Sequence, residues 1–183
     1  MNNQRNVRLG IEYDGTNYHG WQSQKNAVTI QDTVESALKD LTGHDIRITA
    51  SGRTDTGVHA RGQVANFLLE SRLTVNEIED GLNAYLPNDI VIKEVEIVPV
   101  EFHSRFDAKK RIYQYYILPV KTAIFRNFCW QVFYRLDDEI LDEIAPVIIG
   151  DHDFSSFCKN DESRNSNQCR VLTSSWSKKE DFL

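Results

Sequence analysis

The start of the chain shows two kinds of apolar spacing, one typical of strands and one typical of helices. Near the N-terminus every second residue is apolar: Val7, Leu9, Ile11 and Tyr13. A period of two predicts a half-buried strand. The next apolar positions follow helical spacing: Ile30, Val34, Ala37, Leu38 and Leu41. Thr29 is placed to cap this helix and Gly43 to end it. The chain therefore opens with a strand, a loop and a helix.

Three further strands are predicted in the next stretch of sequence. Residues 46–50 and 64–69 are apolar runs on either side of a polar loop, residues 51–63. Residues 90–98 are rich in β-branched side chains, which also favour a strand. The polar loop therefore connects two neighbouring strands.

A second helix lies between the last two of these strands. Thr74 and Glu77 form a capping-box pattern, and a helical apolar stripe then continues to Pro87. The resulting order β, α, β, β, α, β is that of the ferredoxin-like fold, an antiparallel sheet with both helices on one face. We therefore expect an α+β protein whose other sheet face is free to bind a ligand, although a fold alone does not establish a function.

The second half of the chain predicts a smaller and less complete set of elements. Strands are expected at three places: residues 112–118, residues 130–133 and residues 168–177. A helix is expected from Asp137, bent at Pro146 and ended by Gly150, followed by a polar loop over residues 151–167. Within that loop, residues 161–167 could contact RNA, although their sequence carries no specific signal.

Two subdomains are expected from this division. Residues 1–100 would form the ferredoxin-like N-terminal subdomain with the loop at residues 51–63. Residues 101–183 would form a partial C-terminal α+β subdomain that lacks its last strand and helix.

Composition narrows the class of protein. The chain has 183 residues and is 40% hydrophobic, which suffices for a sizeable core. No apolar leader or membrane-length segment is found, so a cytoplasmic protein without a membrane partner is expected. The three cysteines are widely spaced, which indicates reduced thiols rather than a zinc site.

The net charge of −6 disfavours a nucleic-acid partner, because phosphate contacts need clustered Lys and Arg. Many of the acidic residues, however, lie in the predicted helices, so the rest of the surface could be mildly basic. Residues 101–111 also combine basic and aromatic side chains, a composition that suits contact with phosphates and unstacked bases. The alternative for this segment is a connector whose phenylalanines fill a domain junction.

The loop at residues 51–63 has the richest chemistry of the chain. It holds three glycines and four chemically active side chains: Arg53, Asp55, His59 and Arg61. Arg53 and Asp55 would point to the same side if the loop is extended. One interpretation is a functional site; the other is a hairpin loop with a solvated Arg–Asp ion pair. Trp21, in the glycine-bearing loop before the first helix, could likewise pack into the core or face a ligand.

The nine residues Gly52-Arg53-Thr54-Asp55-Thr56-Gly57-Val58-His59-Ala60 resemble the signature of the tRNA pseudouridine synthase A family. Other blocks resemble the same family in the same order: Tyr13-Asp14-Gly15-Thr16, Gly20-Trp21-Gln22, Asn83 with Leu86-Pro87 and Asp89-Ile90, and Phe102-His103-Ser104-Arg105-Phe106 with Arg111 and Tyr113. The resemblance extends over essentially the whole chain.

This resemblance implies an isomerase that converts uridine to pseudouridine in the tRNA anticodon arm, at tRNA positions 38 to 40, without metal or organic cofactor. It also implies a homodimer with tRNA lying across both subunits. Asp55 matches the catalytic aspartate, Arg53 the arginine that displaces the target nucleotide and holds its phosphate, and Tyr113 the tyrosine that stacks on the base. Further RNA contacts are expected from a wider set: Trp21, His59, Arg61, Arg105, Lys109, Lys110 and Arg111.

Family members continue past the end of this sequence with a strand, a helix and a block that supplies a basic residue and a leucine. We therefore expect a truncated member with weak or no synthase activity. The alternative function is a non-catalytic tRNA-binding module. A glycoside hydrolase fits less well, because the central loop lacks the usual pair of carboxylates.

Overall fold

The computed structural model describes residues 4–158 and 166–178. Of residues 161–167, suggested by sequence as an RNA contact, residues 161–165 lie outside this described part. Eight strands are found in the described residues: β1 Gln4–Tyr13, β2 Thr49–Ala50, β3 Ala60–Glu70, β4 Ile90–Val98, β5 Ile117–Leu118, β6 Trp130–Gln131, β7 Gly150–Asp153 and β8 Gln168–Val171. They are joined by three α-helices: α1 Ile30–Thr42, α2 Val75–Tyr85 and α3 Asp138–Ile144.

The first four strands form one antiparallel sheet in the order β2-β3-β1-β4. With α1 and α2, the chain order is β, α, β, β, α, β, as the apolar spacing predicts. The main difference is in the hairpin around the central loop. β3 begins earlier than expected, whereas β2 keeps only two residues of the predicted strand at residues 46–50. The loop therefore joins a strand of two residues, β2, to a strand of eleven residues, β3, where the sequence predicts two strands of similar length.

Both long helices begin and end at the residues that the sequence indicates. Thr29 accepts a hydrogen bond from the Asp32 N–H, and the Gly43 N–H donates to the Lys39 carbonyl at 2.7 Å. In α2 the Thr74 side chain and Glu77 form a complete capping box. These caps depend only on near neighbours, which is why they are readable from sequence.

The core lies on one face of the sheet, against α1 and α2. The alternating residues of β1 supply its centre: Val7, Leu9, Ile11 and Tyr13, each at most 3% exposed. The helices contribute apolar residues that include Ile30, Val34, Leu38, Ile78 and Leu82. This layer holds β1 and β3 rigidly beneath the loop at residues 51–63.

The opposite face of the sheet is only partly free. The buried Asn6 side chain donates to the carbonyl of Phe102 at 2.8 Å, and the buried Asn66 side chain accepts from Ser104. Asn66 also donates to Asn6, so the two amides form one network. This network seats residues 99–104 on the face that the sequence predicts to be open.

The described residues form two compact units. The first contains residues 4–117 and 122–130, and the second contains residues 118–121, 131–158 and 166–178. Within the first unit, the asparagine network holds Phe102 and Ser104 against the first sheet.

In the second unit, apolar spacing predicts the strands less accurately than in the first. β7 pairs with β8 in register from Gly150–Val171 to Asp153–Gln168, although β7 lies in the predicted polar loop. β8 ends at Val171, short of the predicted residue 177. The helix predicted from Asp137 is confirmed as α3, which passes at Ala145 into a 3-10 turn containing Pro146.

The predicted strand at residues 112–118 is mostly absent. Only Ile117 and Leu118 form β5, which pairs with the two residues of β6. Several large side chains around β5 and β6 are exposed: Ile112, Tyr113, Tyr115, Trp130 and Phe133. Their apolar composition favours a strand. The Trp130 N–H of β6 donates to the Tyr116 carbonyl at 2.7 Å, but no strand in the described residues pairs with residues 112–115.

None of the helices among the described residues has the length and apolar character needed to cross a membrane. In the same part of the chain, no group of three or more His, Cys, Asp or Glu side chains is placed to hold a metal ion.

Candidate active site

The site is the loop between β2 and β3, and its centre is a tight turn. The Val58 N–H donates to the Asp55 carbonyl at 3.2 Å, which closes a β-turn over Thr56 and Gly57. Arg53 and Asp55 are exposed on either side of half-buried Thr54. Neither Arg53 nor Asp55 has a side-chain hydrogen bond or ion pair with another described residue. A solvated Arg–Asp pair is therefore not what the loop contains, and both side chains can bind a substrate.

The loop at residues 14–21 holds the site from one side through the backbone. The Trp21 N–H donates to the Thr54 carbonyl at 3.0 Å, and the Gly57 N–H donates to the Tyr18 carbonyl at 3.2 Å. A Cβ atom at Gly20 would lie 2.5 Å from the Thr54 carbonyl oxygen. The two loops thus approach each other closely on both sides of Asp55.

The loop at residues 14–21 is itself anchored to the sheet. The buried Tyr18 hydroxyl donates to the Asp89 carboxylate at 2.7 Å, and the Asp14 N–H donates to the Asp89 carbonyl at 2.9 Å. Burial, together with the Asp89 carboxylate, raises the pKa of Tyr18, so its hydroxyl keeps its proton. Asp89 therefore connects the start of β4 to the surroundings of the site.

A second set of hydrogen bonds joins the loop to side chains of the sheet. Gln63 of β3 is 8% exposed, and its side chain forms hydrogen bonds with Ser51 and Gly52. Its Oε1 atom accepts from the Ser51 hydroxyl at 2.8 Å, and its Nε2 atom donates to the Gly52 carbonyl at 2.9 Å. The Tyr13 hydroxyl forms a hydrogen bond with Thr54 Oγ1 at 2.8 Å. Burial raises the pKa of Tyr13, which keeps this hydroxyl protonated.

His59 fixes the far end of the loop. Its Nε2 atom lies 2.6 Å from the Asn127 carbonyl, so this nitrogen carries the hydrogen, because a carbonyl can only accept. Its Nδ1 atom accepts from the Gly15 N–H at 3.2 Å and lies 3.0 Å from the Asp14 carboxylate. The ring also stacks on Phe128 with centroids 4.7 Å apart. These contacts are those of a residue that braces the loop.

Asp14 lies in the same set of contacts. Burial alone would raise the pKa of Asp14, but hydrogen bonds from the Thr16 hydroxyl and the Thr16 N–H outweigh burial and lower it. The carboxylate is therefore ionised at neutral pH and stabilises the turn that faces His59.

Arg111 approaches the base of the loop from the other side. Its guanidinium donates to the Ser51 carbonyl, and its Nε atom would lie 3.1 Å from a Cβ atom at Gly52. The residue predicted as an RNA contact is thus next to Arg53 in the fold, and part of its hydrogen-bonding capacity is used by the protein itself.

The other predicted site residues are placed differently. Trp21 is 2% exposed and packs near Tyr13, so the structure favours the core interpretation of its ring over contact with a ligand. Tyr113 is 78% exposed and outside any regular element, and no contact joins it to Asp55. The remaining basic residues are exposed: Arg61, Arg105, Lys109 and Lys110.

A short aromatic and basic group lies beside the asparagine network. The rings of His103 and Phe106 are 4.3 Å apart, and the Arg105 guanidinium lies 5.9 Å from the Phe106 centroid. Phe106 is largely exposed, whereas Ser104 between them is buried. The segment therefore places aromatic and cationic side chains next to a backbone that the asparagine network holds against the sheet.

Sequence reasoning missed Gln63 and Tyr13 as parts of the site. Tyr13 reads as the last apolar position of a strand, and Gln63 as a polar residue at the end of the loop. The one available signal is that Gln63 occupies the inward face of β3, in phase with Ala65, Phe67 and Leu69. A polar residue in a buried register needs partners, and here those partners are the loop's backbone and side chains.

The site combines an exposed carboxylate and an exposed guanidinium on a loop whose backbone is held from two sides, which is the arrangement of an enzyme acting on a polar substrate. Comparison with known proteins narrows this class. The family model described as tRNA pseudouridine synthase matches residues 10–107, which include the loop and its supports. The chain belongs to the tRNA pseudouridine synthase family.

Individual relatives agree with this assignment. A protein named tRNA pseudouridine synthase A from Thermoanaerobacter sp. (strain X514) is 43% identical over 181 residues, covering 98% of this chain and 74% of the relative. One of the same name from Acetivibrio thermocellus is 45% identical with the same coverage. Another, from Ruminiclostridium cellulolyticum, is 48% identical over 155 residues, covering 84% of this chain and 63% of the relative.

Proposed function

We propose that this protein isomerises uridine to pseudouridine in tRNA and that Asp55 is its catalytic residue. The observation that carries the proposal is the placement of the Asp55 carboxylate, which is exposed and unpaired within the described residues on a loop held from two sides. Family membership supplies the substrate class. The target we propose is the anticodon arm, at tRNA positions 38 to 40.

The reaction requires one bond to break and another to form on the same base. The bond from C1′ of the ribose to N1 of uracil is cleaved, the base turns, and C5 bonds to C1′. The C5 proton leaves to solvent and N1 takes up a proton, so the atoms balance. Asp55 can assist as a nucleophile at C1′ or as the base that removes the C2′ proton to give a glycal. Both routes are isomerisations, so no co-reactant is needed.

Arg53 and Tyr113 are proposed to bind the displaced nucleotide. A uridine within a stem must leave the base stack before its glycosidic bond can be reached. A guanidinium can hold the phosphate of that nucleotide and keep the nearby carboxylate ionised when RNA excludes water. Tyr113 is exposed and can supply an aromatic surface for the base, after a movement that brings it to Asp55.

Several broader features belong to the same proposal. We infer a homodimer that binds one tRNA across both subunits, and a cytoplasmic location where tRNA is modified. We also propose that the sheet of β1 to β4 is a ferredoxin-like platform for the RNA, within an N-terminal subdomain followed by a C-terminal one. The helix and strand order supports the platform.

The proposal is tested with Asp55→Ala and Asp55→Asn. Both variants should lose pseudouridine formation by about a thousandfold or more, because neither side chain can act as a nucleophile or base. The measurement is release of tritium from C5-labelled uridine in unmodified tRNA. Binding of the same tRNA, followed by gel shift, should remain within about threefold of the parent, because the asparagine in particular keeps the shape of the carboxylate.

The results separate the alternatives. Activity that survives in Asp55→Asn would exclude Asp55 as the catalytic residue. A parent that binds tRNA but releases no tritium would identify a tRNA-binding module instead of an enzyme. A parent that neither binds nor modifies tRNA would overturn the proposed substrate.

A further inference from the structure

Gln63 is the polar side chain that connects the hydrophobic sheet to the base of the catalytic loop. Its Oε1 atom accepts from the Ser51 hydroxyl at 2.8 Å and the Val64 N–H at 3.1 Å, and its Nε2 atom donates to the Gly52 carbonyl at 2.9 Å. An amide has two donors and an acceptor oxygen, and at this buried position most of that capacity is used. Replacing it removes several contacts to one short segment of backbone.

Tyr13 completes the same support on the other side of Arg53. Its hydroxyl lies 2.8 Å from Thr54 Oγ1, within hydrogen-bond distance. Gly52 and Thr54 are the two neighbours of Arg53 in the chain. Gly52 is hydrogen-bonded to Gln63 of β3, and Thr54 is hydrogen-bonded to Tyr13 of β1. The backbone of Arg53 is therefore held at both of its peptide neighbours.

The strand pairing alone does not provide this support. Ile11 pairs with Gln63 and Tyr13 pairs with Ala60, so β3 carries one extra residue between these two pairs. A bulge of this kind interrupts the regular ladder and bends the strand next to a site. Gln63 is the last residue of the regular register before the interruption, where side-chain bonds must replace ladder bonds.

We propose that Gln63, with Tyr13, is a positioning residue for the reaction: its amide donor to the Gly52 carbonyl holds Arg53 and Asp55 at the geometry the isomerisation requires. This inference rests on the proposed function. Catalytic groups lose most of their effect when displaced by about 1 Å, with rate losses of about a hundredfold. The loss of this donor therefore lowers kcat, whereas tRNA binding is spread over a larger surface and changes little.

The variant Gln63→Glu removes only the Nε2 donor that bonds to the Gly52 carbonyl. The variant keeps the shape and the acceptor oxygen that serves Ser51 and Val64, but an ionised carboxylate cannot donate to the Gly52 carbonyl. At pH 8 we expect kcat to fall about tenfold to a hundredfold, with KM for tRNA within about twofold. Gln63→Leu should lose at least as much. Asn83→Asp is the matched control, because Asn83 makes the same kind of amide-to-carbonyl bond, to Ile92 at 2.9 Å between α2 and β4.

The pH dependence of kcat in Gln63→Glu distinguishes the loss of this hydrogen-bond donor from a general loss of stability. A buried carboxyl is protonated more readily than one in water, and once protonated it can again donate to the Gly52 carbonyl. The kcat of Gln63→Glu relative to the parent should therefore rise at least about fivefold between pH 8 and pH 5.5. The same ratio for Gln63→Leu should stay flat, because leucine has no donor at any pH.

Hydrogen exchange measured by mass spectrometry tests the loop without requiring activity. In Gln63→Glu at pH 8, peptides covering residues 51–59 should exchange faster than in the parent, while those of β4 should not. In Asn83→Asp, the peptides of β4 should exchange faster than in the parent, while those covering residues 51–59 should not. If a Gln63 variant does not fold, Tyr13→Phe provides the same comparison, since it removes only the hydroxyl that reaches Thr54.

Two results would overturn the inference: a kcat for Gln63→Glu equal to that of Asn83→Asp with no rise at low pH, or loop exchange in the variant equal to that in the parent. A parent that forms no pseudouridine in tRNA would instead contradict the proposed function. In that case the exchange comparison alone decides whether Gln63 fixes the loop.

Discussion

Gly20 and Gly43 share a backbone conformation but differ in their surroundings, with φ angles of 84° and 76°. A Cβ atom at Gly43 would meet nothing within 4 Å, whereas one at Gly20 would lie 2.5 Å from the Thr54 carbonyl oxygen. Substitutions at these two glycines therefore separate two costs: that of a non-glycine residue with a left-handed backbone, and that of displacing the loop at residues 51–63.

We expect Gly43→Ala to lower the free energy of unfolding by about 1 kcal/mol and to leave activity unchanged. Gly20→Ala should cost about 1 to 3 kcal/mol more and reduce kcat at least about tenfold, because the Trp21–Thr54 hydrogen bond must lengthen. Urea unfolding and tritium release measure the two quantities. Equal effects of both substitutions on activity would show that the contact between the two loops does not matter for the reaction.

At the scale of single residues, the sequence predicts candidate chemistry but does not predict the contacts that support it. Arg53 and Asp55 are predicted as site residues because their types and spacing within a glycine-bearing loop are unusual. The contacts of Gln63, Tyr13 and Arg111 with that loop join residues 11 to 60 positions apart. No local pattern encodes such a contact, because it depends on which strands lie side by side.

At the scale of elements, local interactions explain why the helices were predicted better than the strands. A helix is bounded by caps within a few residues of its ends, as Thr74 and Glu77 show for α2. A strand exists only where a partner is available. Residues 112–115 have no strand partner among the described residues despite their composition, whereas the polar β7 pairs with β8.

The α2 cap provides a prediction at this scale. Thr74→Ala should lower the free energy of unfolding by about 1 kcal/mol, because the Glu77 N–H loses its acceptor. Thr74→Ser keeps the hydroxyl and should recover most of the difference. Urea unfolding followed by circular dichroism measures both. Equal losses in alanine and serine would mean that the threonine methyl group, rather than the cap, stabilises the helix.

At the scale of the whole molecule, net charge is a poor guide to the proposed partner. The chain carries a formal charge of −6, yet exposed basic residues lie in or near the loop at residues 51–63 and the segment at residues 101–111: Arg61, Arg105, Lys109 and Lys110. Phosphate contacts depend on such local cations rather than on the sum over the chain.

Salt dependence tests this distribution. The double variant Lys109→Gln/Lys110→Gln should bind tRNA more weakly and reduce the slope of log K against log salt by about 1.4 to 1.8, the contribution of two phosphate contacts. The control Lys39→Gln/Lys93→Gln removes the same charge; Lys39 there pairs with Asp45 beside α1. Gel shifts at several salt concentrations supply the slopes. An equal reduction in both variants would indicate a general effect of charge and no local contact.

The sequence by itself determined the order of helices and strands in the first half of the chain and the caps of its helices. Each of these depends on spacing along the chain or on residue type. Only the tertiary structure decided that Trp21 is core, that the asparagine network covers part of the sheet, and that Gln63 and Tyr13 form hydrogen bonds to the loop at residues 51–63. The physical reason is that a buried polar group must find its partners in three dimensions, and those partners lie on strands that are neighbours in the sheet and distant in the sequence.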